Sequence, residues 1–335
     1  MVRVGVVGAG GIAAEHFKHI AANEQAEFVA VCDIVLQNAE AASARYGAAA
    51  YTDVTAMLDR ERLDALFVCV PPFAHGDIEE QAARRGVHLL VEKPLGLDLE
   101  EVRRKAAVIR EAGILAGSGY CLRYLESVQR AKRYLADKEI AMVRAFRFGG
   151  LPPTPWFADM AKSGGQLVEQ TTHNLDLMLY LAGGVRRISA DMALLLHKDV
   201  AGMTIPDVTS VNVVFDSGAI GHLDTAVIPQ PDGRSSLEVL GRNFRLTIEG
   251  TSLTIAEPGT TTTWRGPGDF YRAQDDAFLQ AVQTGDAGLI LAPYEEALRT
   301  LEVTLAANAS AASGIPVLLE REDAGVAAAP IPDAG

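Results

Sequence analysis

VRVGVVGAGGIAAEH, residues 2–16, decides the fold. A β-branched apolar run ends at Gly8, and a helix-like stretch follows within a few residues. Gly8, Gly10 and Ala13 stand in the pattern G-x-G-x-x-A. Gly8 permits a tight turn, Gly10 lets backbone approach a pyrophosphate, and Ala13 lets a helix pack closely on the strand. The amides of Gly11, Ile12 and Ala13 then face phosphate at the start of a helix predicted over 12–22. The motif alone recurs widely; placed between a first strand and a helix, it reads as a dinucleotide fingerprint.

Asp33 closes the next strand, EFVAVCD, 20 residues beyond Ala13. A carboxylate there accepts both hydroxyls of an adenosine ribose and repels a 2′-phosphate, so NAD is expected as cofactor ahead of NADP. Asp33 also suits capping of a helix predicted from Leu36.

Outward from this unit, strands at 2–8, 27–33, 63–70, 87–92 and 114–119 alternate with helices at 12–22, 36–45, 76–85 and 98–112. Continuous apolar strands separated by helices predict a parallel sheet covered on both faces. After about residue 140 the rhythm changes: one helix through 166–182, then a series of strands joined by Ser-Gly, Gly-Arg-Asn and Glu-Gly-Thr turns, then helices at 270–283 and 293–313. The expected architecture is α/β. A Rossmann domain (1–120) precedes an α/β domain (121–320) with a large, predominantly antiparallel open sheet, and a tail (321–335) expected to be mobile.

Bulk properties narrow the function. The 335 residues carry a formal net charge of −13, which disfavours nucleic acid as a partner. Cys32, Cys69 and Cys121 are odd in number and scattered, as expected of reduced core thiols. The N-terminus does not read as a secretory leader, and no run of about 18 apolar residues occurs, so no membrane span and a cytoplasmic location are expected.

Three further stretches carry chemistry. VCVPPFAHG (68–76) puts Pro71, Pro72 and His75 in a rigid turn at the carboxyl edge of the parallel sheet, where a dinucleotide lies. For His75, packing and ligand contact stay open. LLVEKPLG (89–96) ends an apolar strand with Glu92, Lys93 and Pro94. Glu92 either orients its neighbours or approaches the nicotinamide side; Lys93 offers donors to a substrate oxygen that gains negative charge. GGQLVEQTTHNLDLMLYLAG (164–183) sets Glu169, His173 and Asp176 at helical spacing on one face. His173 suits proton transfer, Glu169 substrate binding or tuning of His173, and Asp176 a sugar hydroxyl or the orientation of the imidazole. A buried structural network is the alternative; a metal is not expected, because no second histidine motif or cysteine pair accompanies the three.

Taken together, GVVGAGGIAAEH, VCVPPFAHG, VEKPLG, SGGQLVEQTTHNLD and PYEEALRTLEVTLAANASAASGIPV resemble the Gfo/Idh/MocA family over almost the whole chain. The resemblance implies a tightly held nicotinamide cofactor, a sugar, cyclitol or nucleotide-sugar substrate, and a homodimer or homotetramer built through the C-terminal sheet. It also implies that Lys93 binds the reacting oxygen, His173 acts as acid and base, and Asp176 fills the polar position that follows. Tyr120 and Arg123 fall where the family places pocket and cofactor-side residues, with helix packing or surface placement as the alternative. Trp156, in the proline-rich loop LPPTPWFADMAKSGG (151–165), suits stacking on a sugar ring, with loop anchoring as the alternative; Arg147 and His222 could add contacts if their strands face the pocket. Relatives resembling inositol dehydrogenase carry aspartate where this chain has Glu169, which argues against borrowing their cyclitol. The expected activity is hydride transfer between a secondary alcohol carbon and NAD. The alternatives are an NAD-using eliminase or hydrolase with no net redox change, and a non-catalytic sugar-binding regulator.

Overall fold

The computed structural model describes residues 1–228 and 233–319; the expected tail lies outside them. Six strands form the first sheet: β1 (Val2–Val7), β2 (Ala26–Cys32), β3 (Ala49–Tyr51), β4 (Ala65–Val68), β5 (His88–Val91) and β6 (Ala116–Ser118). All pairings are parallel, in the order β3-β2-β1-β4-β5-β6. The strands are apolar on both faces because helices cover both: α1 (Gly11–Ala22), α2 (Leu36–Tyr46), α3 (Val54–Arg60), α4 (Ile78–Arg84) and α5 (Leu99–Ala112). The strand order reverses between β1 and β4, and in open parallel sheets such a switch point, beyond the carboxyl ends of the strands, is where ligands bind. The short β3 and α3 lack a clear sequence period and were not expected.

Helix α6 (Glu126–Leu135) leads into the second sheet: β7 (Ile140–Phe148), β8 (Val185–Ala193), β9 (Val208–Phe215), β10 (Ile220–Ala226), β11 (Arg234–Gly241), β12 (Phe244–Glu249), β13 (Ser252–Glu257), β14 (Thr260–Arg265) and β15 (Val317–Leu318). The order is β14-β13-β12-β11-β7-β10-β9-β8-β15. Only β7 and β10 pair in parallel, so the sheet is mixed and predominantly antiparallel. Alternation sorts its faces: Val143, Ala145 and Leu223 point into a core with α6 and the later helices, while Met142, Arg144, Ile220 and His222 lie on the opposite, open face.

The helix expected over 166–182 is two helices, α8 (Gln166–Glu169) and α9 (Thr172–Ala182), after the short α7 (Met160–Ser163). At the break the amide of Thr171 bonds back to Gln166 O, and the hydroxyls of Thr171 and Thr172 bond outward to Thr225 and Tyr120. Hydroxyl groups that find tertiary partners compete with continuous helix.

Two late helices tie the domains together. α10 (Phe270–Thr284) places Phe278, Leu279 and Ala281 in the core beneath Val4, Val6 and Phe67 of the first sheet. α11 (Tyr294–Ser313) gives Tyr294, Ala297 and Leu301 to the first domain, and Val303, Ala306 and Ala307 to the second. The three cysteines are buried and unpaired. Among the described residues, no helix is long and apolar enough to cross a membrane.

Candidate active site

The glycine loop is shaped by contact with its neighbour. Gly8 has φ +91°, and a side chain there would run into the carbonyl oxygen of Cys69. Gly10 and Gly11 face open space, and no side chain caps the first turn of α1. The leading amides of α1 are therefore left for an anion. Ala13 is buried against the first sheet. Asp33 stands beside the loop: its Oδ2 accepts from the amide of Ala9 at 2.8 Å and its Oδ1 from that of Val35 at 2.8 Å. These residues fit a dinucleotide, with Pro71 in the loop that leaves β4.

The EKP turn lies at the carboxyl end of β5, and the Lys93-Pro94 bond is cis. Lys93 Nζ donates to Glu169 O at 2.6 Å and to Glu169 Oε1 at 3.1 Å, so both main chain and side chain of α8 hold the ammonium. Glu92 turns the other way. Its Oε2 accepts from the Lys93 amide at 3.1 Å and its Oε1 faces His16 Nε2 at 3.2 Å, in a setting only 5% exposed. Of the two roles open for Glu92, orientation is the one its contacts express; its buried carboxylate does not reach out as a cofactor ligand.

His16 has no precedent in the sequence reading. It is fully buried on α1, and its Nδ1 lies 2.9 Å from both carboxylate oxygens of Asp275 on α10. His19 adds a contact to Asp275 Oδ2 at 2.9 Å. Burial opposes charge on His16, but Asp275 and then Glu92 outweigh it and push its pKa up to about 10. A buried imidazolium thus links the helix behind the glycine loop, the EKP turn and the C-terminal part of the chain. A histidine followed 259 residues later by its partner gives no local signal.

His173 is the opposite case. Burial, then the positive charges of Lys93 and Arg147, hold its imidazole well below the ordinary histidine range. It is neutral near pH 7 and able to accept a proton. Its ring meets Tyr120 edge-on at 5.9 Å between centroids, and Nδ1 is buried with no hydrogen-bond partner among the described residues.

Several expected substrate contacts are corrected by burial. Asp176 is 1% exposed and receives two bonds from Arg123, Nη2 to Oδ1 at 2.7 Å and Nε to Oδ2 at 2.9 Å, with a third from Thr300 at 3.0 Å. Arg123 also bonds Glu296 and Leu291 O, and its guanidinium lies over the Tyr180 ring. The pair therefore rivets α9 to α11, with both groups bonded to protein partners. Tyr120 is likewise enclosed, its hydroxyl 2.9 Å from that of Thr172. His75 is turned inward, with Nδ1 2.6 Å from the buried Glu79, so its side chain does not line the cofactor cleft. His222 lies on the open sheet face with Asn212 and Asp224. Trp156 is half-buried and meets Phe73 edge-on at 6.0 Å, bringing the proline-rich loop against the turn after β4.

The three residues set at helical spacing in 164–183 thus divide their work: Glu169 faces Lys93, His173 is held neutral, and Asp176 is sealed against Arg123. Such a site at the edge of a dinucleotide cradle defines the class of nicotinamide-linked oxidoreductases. Residues 2–120 match the oxidoreductase family with an NAD-binding Rossmann fold, and residues 128–247 match the GFO/IDH/MocA C-terminal domain. The chain belongs to the Gfo/Idh/MocA family. It is similar to the scyllo-inositol 2-dehydrogenase (NAD(+)) of Bacillus subtilis (strain 168), 27% identical over 339 residues, which span 95% of this chain and 96% of that one. The myo-inositol 2-dehydrogenase of Thermotoga maritima is 24% identical over 289 residues, 84% of this chain and 86% of its own. The crystal structure of GenD2 from gentamicin A biosynthesis, in complex with NAD, has a TM-score of 0.84 at 25% identity, covering 96% of this chain and 97% of that one.

Proposed function

We propose that this protein is an NAD-dependent dehydrogenase acting on a secondary alcohol of a sugar or sugar-like substrate. The observation that carries the reading is the pairing of a positioned ammonium, Lys93, with a neutral histidine, His173, beside a cleft that fits a dinucleotide. Relatives named for inositol oxidation and a neighbour holding NAD support it. Bound in this cleft, the nicotinamide would supply the acceptor or donor of hydride.

The chain's own groups do the rest. Lys93 donates to the substrate oxygen and favours the negative charge that grows there as its proton leaves. His173 takes that proton in oxidation and returns it in reduction. Glu169 holds Lys93 from one side while Glu92, fixed by His16, holds the backbone of the same residue from the other. Trp156 supports a sugar-facing wall. The open face of the second sheet, where Phe146 and Phe148 stack at 5.0 Å and the paired Met142 and Ile220 are exposed further along, supports assembly of a homodimer or homotetramer through that sheet.

A screen of sugars, cyclitols and sugar acids with NAD, followed by NADH absorbance, tests the activity. Lys93→Met is expected to lower kcat by about 10²-fold or more with NAD affinity retained, since an oxyanion donor is worth that much. Turnover within a few-fold of wild type would defeat the assignment. Mass analysis of products separates this reading from an elimination or hydrolysis with no net NADH.

Asp33 carries the cofactor preference. Asp33→Ser removes the carboxylate that repels a 2′-phosphate and accepts ribose hydroxyls. The ratio of kcat/KM for NAD over NADP is expected to fall about tenfold or more, two lost charge-assisted bonds being worth at least that. An unchanged ratio would remove Asp33 from the selection of cofactor.

A further inference from the structure

Arg147 projects from the helix-facing side of β7, level with Thr225 on β10 and Ser235 on β11. Its environment is unusual for an arginine. Nε is buried with no hydrogen-bond partner among the described residues. Nη2 donates to Gln170 Oε1 at 3.2 Å, a neutral acceptor. Glu169 is near enough to favour the guanidinium's charge, yet that carboxylate is already held by Lys93 at 3.1 Å. Burial is the largest influence on Arg147 and lowers its pKa, and the group still keeps its proton.

A half-buried cation with an orphan donor and, among the described residues, no carboxylate within ion-pair distance is costly. It shares its influence with a second cation: Lys93 and Arg147 both lower the pKa of His173. General basicity does not account for it, since the chain carries a net charge of −13. The carboxylate that favours this guanidinium, Glu169, is already bonded to Lys93, and a negatively charged substrate group supplies the counter-charge Arg147 lacks.

We infer that Arg147 binds a carboxylate of the substrate, so that the site takes acidic sugars, uronic or aldonic acids, in preference to neutral ones. This rests on the dehydrogenase reading above, in which the reacting hydroxyl meets Lys93 and His173. A planar carboxylate accepts from the two Nη groups together and neutralises the guanidinium, while Nε stays enclosed by the protein. A neutral hydroxyl satisfies one donor and leaves the charge. A phosphate monoester brings almost two negative charges toward Glu169, a poorer match than a single one.

Calorimetric titration of the NAD-loaded protein compares D-glucuronate, D-galacturonate and D-gluconate with D-glucose, D-galactose and myo-inositol. At least one acid is expected to bind about tenfold or more tightly than its neutral counterpart, the range of a hydrogen bond to a charged group. In Arg147→Gln that ratio is expected to collapse to about one, and Arg147→Lys to keep part of it, because the charge survives and the planar fork does not. NAD affinity reports whether each variant is folded; if Arg147→Gln is not, wild type and Arg147→Lys decide the matter. Acids that bind no tighter than neutral sugars, or an acid preference that survives Arg147→Gln, overturn the inference. NADH absorbance on the same samples is a separate readout. Arginine-dependent acid binding without NADH formation from any compound overturns the dehydrogenase reading and leaves the anion site standing.

Discussion

His173→Asn is expected to lower kcat for alcohol oxidation by about 10²- to 10⁴-fold, the usual worth of a positioned acid and base. NAD affinity should stay within about threefold, because the glycine loop and Asp33 are untouched. Initial rates of NADH formation and a fluorescence titration of NADH check the two halves; a variant keeping more than a tenth of its turnover would refute the role. The pH profile adds a signature that a structural role does not produce. Burial, Lys93 and Arg147 hold the imidazole well below its ordinary value of 6.5, so the acid limb of kcat/KM should fall below pH 6.5. Arg147→Gln removes one repelling cation. The pKa of His173 then rises, and the acid limb should move to higher pH. A limb that stays in place would show that Arg147 does not act on His173.

Asp275→Ala is expected to destabilise the protein by about 3–5 kcal/mol, the cost of stripping one partner from a buried ion pair. His16 then faces Glu92 alone across 3.2 Å, from a position with no exposure to water. Linkage gives the pH dependence its sign. The folded pKa of His16, about 10, lies above the ordinary 6.5 of the unfolded chain, so its stabilisation is complete below about pH 6.5 and is lost as pH rises through about 10. Thermal unfolding from pH 6 to 10 should therefore show a midpoint that declines in the wild type and declines less in the variant. A wild-type midpoint level across that range would contradict a buried imidazolium. Because Glu92 also holds the Lys93 amide at 3.1 Å, the variant should lose turnover as well as stability.

Much of this could be read in the chain before folding. The parallel sheet was legible because each strand is a continuous apolar run and each crossover a helical period; β3, three residues long, is too short to carry either signal. Lys93 and His173 stood out as candidates because charged groups interrupt apolar segments at 92–93 and 169–176. What misled was the assumption of one unbroken helix. Thr171 and Thr172 find hydroxyl partners on other elements, so Glu169 and His173 belong to different helices. Arg123 and Asp176 looked like ligand contacts because each is a charge beside a motif. They are 53 residues apart in sequence and satisfy one another at 2.7 and 2.9 Å, a pairing that no periodicity records. His16 was quoted within the first motif and overlooked for the same reason.

The seat of Asp275 also sets the order in which the molecule can be finished during synthesis. The dinucleotide domain is translated first, yet the counter-ion of its buried histidine and the aromatic wedge Phe278 lie on α10, near the end of the described chain. At ordinary elongation rates of about 5–20 residues per second, the first sheet waits roughly ten to thirty seconds for the helix that closes it. During that interval His16 has no aspartate to hold its charge, and the apolar patch around Phe67 is open to chaperones or to other nascent chains. The half of the protein that leaves the ribosome first is thus among the last to be completed.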